Sequence, residues 1–200
     1  MRKSQKYELK IDKVENRKIS FTTIIFIFIL CAFIGWCFEE IFCFLRFNKW
    51  VSRGMMFGPL CSIYGYGATI LYLLFYNVKA TKTNIPYIFL TAATVLGAFE
   101  LVSGLFLKYV LNMEMWNYDG QFLEILNYTT VPILIGWGIL GTIYVYLIQP
   151  ILIKLTSIVP KRFSKHLAIV LICLYTIDFL LSFLNVNINP EVLYNLVNPV

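Results

Sequence analysis

Charge is what this sequence has least of. Only 14% of its 200 residues are Asp, Glu, Lys or Arg, against about 25% in an ordinary soluble domain. Those charges gather at the ends of long apolar runs and in the segments between them. A soluble domain of this size would have to coat its surface with charge, so an aqueous enzyme, a secreted disulfide scaffold and a disordered tail are all excluded. Motifs that carry chemistry are equally scarce. The one histidine, His166, has no HExxH around it, and zinc sites need several such ligands at fixed spacing. The five cysteines, Cys31, Cys37, Cys43, Cys61 and Cys173, lie in or beside apolar runs. None forms a CxxC and no loop holds a pair to bridge, so they read as small apolar side chains. There is no G-x-x-x-x-G-K-[ST] phosphate loop. No catalytic residue, metal ligand or cofactor is assigned, and any ATP hydrolysis would have to come from a separate subunit.

What is present is hydrocarbon. Hydrophobic residues make up 59% of the chain and the mean hydropathy is +0.73. Five windows, about 21–44, 57–76, 85–107, 130–149 and 167–184, are long and apolar enough to cross about 30 Å of lipid as helices of about 20 residues. Barrel strands are about ten residues long with alternating polarity, which these continuous runs are not. The expected fold is all-α, a polytopic membrane protein with about five transmembrane helices. Its expected organisation is a basic cytoplasmic tail at 1–20, a transmembrane helical domain at 21–187 and a short outer tail at 188–200. The first apolar stretch exceeds the 7–15 residues of a cleaved signal and lacks an A-x-A-like site, so it reads as a retained anchor.

Orientation follows the bases. Of the 17 Lys and Arg, thirteen fall in the N-terminal tail and in the second and fourth loops. The positive-inside rule makes that side cytoplasmic. The N-terminus is then inside and, with an odd number of spans, the C-terminus outside, in the cell membrane. The net charge of +6 thus reports topology and contact with anionic lipid. No folded basic surface remains for nucleic acid. Arg46, Lys49 and Arg53 break the rule in the first outer loop, either outvoted or kept for a site.

The informative residues are acids the bilayer should discourage. Glu39, Glu40, Glu100 and Asp178 lie inside apolar spans, where an ionised carboxylate costs at least a few kcal/mol. They either face a cavity or lock helices together, and the locking role weighs more for Glu40 and Asp178. Glu39 and Glu100 sit at matching depth in the outer half of two outward-running spans, with Arg53 just before the second span descends. An Arg between two carboxylates lowers the cost of burying all three. Glu40 is about 100° round the helix from Glu39 and should contact something else. Small residues recur at helical spacing: Ala32 and Gly35 ahead of Glu39, then Gly58, Ser62, Gly65 and Thr69, then Ala93, Gly97 and Gly104 around Glu100. Such stripes let transmembrane helices approach closely and are expected to face one another. Trp50 and Trp116 suit an interfacial belt, whereas Trp36 and Trp137 lie deeper, lining a pocket or merely packing. Between Arg53 and Gly67, four glycines and a proline in fifteen residues argue against an uninterrupted helix. Such an interruption is tolerated in a membrane only where it lines protein or water.

Several of these residues recur as motifs: Gly35-Trp36-x-x-Glu39; Arg53-Gly54-x-x-x-Gly58-Pro59-x-Cys61-x-Ile63-Tyr64-Gly65-x-Gly67; Glu100; Trp116-x-Tyr118; and Trp137-Gly138. Together they resemble the CmpB-like type IV ABC-transporter membrane family over most of residues 30–150. Ser62 stands where that family usually has proline, and Trp116-Asn117-Tyr118-Asp119 replaces its W-D-Y-S. The resemblance implies transport and names no substrate. The leading expectation is a small transporter or permease-like subunit with a polar pocket in the outer half, lined by Glu39, Arg53, Glu100, Tyr64, Trp36 and Trp137. The alternatives are a membrane-embedded lipid-binding protein or enzyme, the enzyme lacking a recognised nucleophile, and a non-catalytic partner or scaffold. The expected partners are the lipid bilayer, a separate ATPase subunit and a second copy of the chain, without nucleic acid.

Reporter fusions check the topology. A fusion near Asn77 should read inside and one at residue 200 outside; an inside signal at residue 200 overturns the orientation.

Overall fold

The computed structural model describes residues 19–48, 55–78 and 81–188. Arg53, Lys49, Trp50, Lys79 and both expected tails beyond those limits lie outside the described residues. The described residues form a helical bundle with one hairpin of two-residue strands. In order they form α1 (Phe21–Phe47), α2 (Ser62–Phe75), a short 3-10 turn (Lys82–Asn84), α3 (Ile85–Leu111), β1 (Glu124–Ile125), β2 (Thr129–Thr130), α4 (Val131–Ile143), a π turn (Tyr144–Ile148), α5 (Gln149–Ile158) and α6 (Lys161–Ile188). Among the described residues, four helical stretches are long and apolar enough to cross a membrane: Phe21–Leu45, Lys82–Leu111, Val131–Ile158 and Arg162–Asn185. Ser62–Phe75 is a shorter apolar helix. The all-α multi-pass reading therefore holds, with about five apolar helices.

Three span limits differ from expectation. The second span was expected from Phe57, but α2 begins at Ser62. Its 14 residues cover about 21 Å at 1.5 Å per residue, short of the ~30 Å hydrocarbon core. The missing length is made by Met55–Cys61, which is not helical. The Cys61 amide bonds the Ala32 carbonyl at 2.9 Å, so this segment dips to about the midpoint of α1 before α2 starts. The fourth span was expected to end at Gln149, and it runs to Ile158. Pro150 cannot donate to the carbonyl four residues back. The π turn just before it shifts the bonding, with Gln149 N–H on Tyr144 O, and the helix continues. The last span was expected from Leu167 and already begins at Lys161, so the bases of the fourth loop sit on helix ends.

The tightest packing forms two pairs, α1 with α2 and α3 with α4. Glycines explain why. A Cβ at Gly65 would lie 2.8 Å from the Phe28 backbone oxygen, and one at Gly35 would enter the Tyr64 ring. In the second pair a Cβ at Gly141 would meet Ala92, and one at Gly97 would meet the Leu134 side chain. The small-residue stripes of α1 and α2 thus do face each other. The α3 stripe does not join them: Gly97 packs on α4, and Gly104 packs on Tyr128 beside the hairpin. Membrane helices associate wherever small residues let backbones close up, and here the α1 and α2 stripes take each other while the α3 stripe is taken by α4 and the hairpin. Below the pairs, Ile27, Leu71, Phe75, Ile88 and Ala92 build the main core with Tyr144 and Leu152. α6 packs on α1 through Ala168, Phe26 and Tyr175.

Thermal unfolding of the purified protein checks the packing. Gly65→Leu should lower stability by about 1–3 kcal/mol because a backbone oxygen blocks it. Gly97→Leu should cost less, since the Leu134 side chain can turn aside, and Gly136→Leu, with nothing within 4 Å, should be near neutral.

Candidate functional site

Glu100 is 4% exposed and three donors from three segments converge on it. Tyr118 Oη donates to Oε1 at 3.2 Å, while Thr129 Oγ1 and Trp137 Nε1 donate to Oε2 at 2.8 and 3.1 Å. Local sequence delivers each of them. The β1–β2 hairpin pairs Ile125 with Thr129 and turns Thr129 inward. Next to it, Thr130 accepts from Ile133 N–H at 3.2 Å with Pro132 in the first turn, a helix start of the kind Thr and Pro favour. That cap aims α4, and hence Trp137, at α3. Tyr118 is held by its amide on Asn127 O, and Trp116 Nε1 donates to Tyr128 O at 3.1 Å. At the rim, Lys108 pairs with Glu114 at 3.1 Å. The Lys108 hydrogen bond, then those from Tyr128 and Asn117, hold the Glu114 carboxyl below its usual range despite some burial.

Glu39, on α1, is half-buried and accepts from Tyr64 Oη at 2.6 Å. The Tyr64 ring lies 5.8 Å from Trp137. A chain of contacts therefore runs from Glu39 through Tyr64 and Trp137 to Glu100, bridging the two helix pairs. All four residues border one cavity of about 970 Å³ at the end of the bundle that holds the 112–130 segment. Most of its remaining wall is apolar, with Phe38, Phe42, Phe99, Phe106, Leu140 and Phe179 prominent. Trp36 is not in that wall; it stacks on Phe33 at 6.1 Å. Arg53 lies outside the described residues, although Met55 and Met56 nearby in the chain do line the cavity. Glu40 is buried, on a different side of α1 from Glu39.

Asp178 has another task. Its Oδ1 and Oδ2 accept the Phe57 and Gly58 amides at 3.1 and 3.0 Å, and Ser182 Oγ donates to Oδ1 at 3.2 Å. It tethers the non-helical segment that forms one cavity wall. A Cβ at Gly58 would sit 2.8 Å from Asp178 Oδ2, so a larger residue would push the carboxylate off the two amides. This is the helix-locking role weighed for Asp178, with a loop in place of a helix. Ser62 accepts from Tyr175 Oη at 3.1 Å, a bond proline could not make.

The family model described as "Putative ABC-transporter type IV" matches residues 26–183. This chain belongs to that family. The match reaches further than the 30–150 stretch carrying the motif resemblance, and takes in most of α6. The family's Gly-Pro-rich run is the segment that dips to the middle of α1, and its Glu100 and Trp137 positions are the pair joined at 3.1 Å. No curated protein and no solved structure matches the chain. Thr129 was missed in the sequence because nothing in a Thr-Thr dipeptide announces a buried carboxylate partner. Phe38 was missed because an aromatic on an apolar helix reads as packing.

Asp178→Asn should lower stability by about 1 kcal/mol, because an amide nitrogen replaces one of the two charged oxygens. The Phe57 N–H keeps Ser182 Oγ at 2.9 Å, so the loss is that of charge-assisted bonds and not of a whole unpaired group. Thermal unfolding measures the loss, and maleimide labelling of Cys61 should quicken as the tether loosens.

Proposed function

We propose that the chain is a permease-like subunit of a transporter, and that the cavity between its two helix pairs is where cargo binds. The supporting observation is that one cavity of about 970 Å³ is bordered by both Glu39 and Glu100, acids that a bilayer discourages unless they face a partner or a pathway. Family membership points the same way. Under the orientation set by the bases, the cavity lies in the outer half of the cell membrane, in a transmembrane domain at 21–187 flanked by an inner basic tail and a short outer tail. Glu39, Tyr64, Glu100 and Trp137 form the binding side, and Arg53 is the counter-charge. One Arg against two carboxylates leaves an excess negative charge, which suits a cation or an amine. The chain carries no phosphate loop, so ATP-driven movement requires a separate ATPase subunit.

Flux in right-side-out vesicles from the source cells, which retain native partners, tests this. A panel of radiolabelled organic cations and amines should show saturable movement above vesicles lacking the chain. Glu39→Gln at matched expression should reduce it by about tenfold or more, as expected when a charge pair is lost. Absence of flux, or flux unchanged in the variant, overturns the reading.

A further inference from the structure

Three observations narrow the cargo. First, about 970 Å³ is at the upper end of the ~300–1,000 Å³ of small-molecule sites, far more than an ion needs. Away from the two acids the wall is mostly aromatic and aliphatic, with Ser62 and Ser103 among few polar residues, so a wholly polar solute would leave most of its groups unpaired. Second, the wall reaches the lipid-facing surface: Val102, Phe106 and Phe42 line the cavity and are still 62%, 51% and 47% exposed. A molecule dissolved in the bilayer can enter from the side. Third, the acid end has the chemistry of an ammonium site. Glu39 receives only the Tyr64 hydroxyl among the described residues, and a carboxylate has about four acceptor positions. Glu100, beyond Tyr64 and Trp137 on the same wall, already holds three donors. The Tyr64 ring is inclined 53° to Trp137 and 62° to Phe38, with centroids 5.8 and 6.3 Å apart. Inclined aromatic faces beside an acid are how quaternary ammonium groups are bound.

We infer that the cavity takes a single-chain amphiphile with an ammonium head group, its head against Glu39, Tyr64 and Trp137 and its tail along Phe106, Leu140 and Phe179. This rests on the reading of the cavity as a binding site. The bilayer delivers the ligand sideways, the aromatic wall and Glu39 select the head, and the apolar wall selects for a tail.

The full chain, purified in a neutral maltoside detergent, is titrated with a bromododecyl-trimethylammonium salt, and quenching of tryptophan fluorescence is recorded. Saturable quenching is expected, with bromododecyl sulfate weaker by about tenfold or more, and with tetramethylammonium chloride, read by its displacement of the bromo-amphiphile, also binding about tenfold or more weakly. Glu39→Gln should weaken the cationic amphiphile to the same degree. Ser103→Phe, which fills the cavity and keeps Glu39, should abolish saturation, so either variant decides should the other fail to fold. Equal quenching by the alkyl sulfate, equal affinity for tetramethylammonium, or indifference to both variants overturns the inference. Saturable amphiphile binding without vesicle flux leaves this site standing and removes the transport reading. Flux of a water-soluble cation without amphiphile binding does the reverse.

Discussion

The burial of one carboxylate organises much of this molecule. Glu100 sits on α3 with 4% exposure, in a span where an unaccompanied acid would cost several kcal/mol. The three donors that offset this come from the 112–130 segment and from α4. Meeting that requirement folds the connection back over α3, turns the hairpin inward and fixes the entry angle of α4. Trp137 is thereby carried to where its ring meets Tyr64, and the two helix pairs make contact across a polar line. The Phe-rich space beside that line is what remains when two tightly packed pairs touch along only part of their faces.

A second carboxylate supports the opposite wall in a different way. Asp178 accepts two backbone amides of the chain before α2, satisfying groups that hydrocarbon would leave unpaired. The segment can therefore stop short of being a helix and still lie deep in the bundle. Glu39 differs from both acids: it is half-buried, faces the cavity and receives one hydroxyl among the described residues. Glu39, Glu100 and Asp178 thus have three different environments. The one with acceptor capacity toward the cavity is the one suited to a ligand.

The family match and the geometry bear on different questions. Membership covers residues 26–183 and concerns what kind of protein this is. The apolar wall, its opening to the lipid-facing surface and the inclined rings concern what could bind, because they describe size, polarity and charge directly.

Much of the architecture was legible before any coordinates. Hydrocarbon length sets which runs become spanning helices, and a Gly-Pro cluster forbids one of them from starting on time. Carboxylates inside apolar runs mark where partners must be, and so Glu39 and Glu100 could be singled out, while Trp137 could be read equally as lining or packing. The sequence could not say which donors those acids would find. Thr129 meets Glu100 across 29 residues, and Asp178 meets Phe57 across 121, through turns and helix contacts that no local pattern encodes. Nor could it decide which stripe packs on which. Small residues on α3 would suit α1, α2 or α4 equally, and the 112–130 connection, whose Thr129 bonds Glu100, gave them to α4. Periodicity and burial cost are properties of the chain itself, whereas pairing between distant segments depends on the shape of every surface brought near.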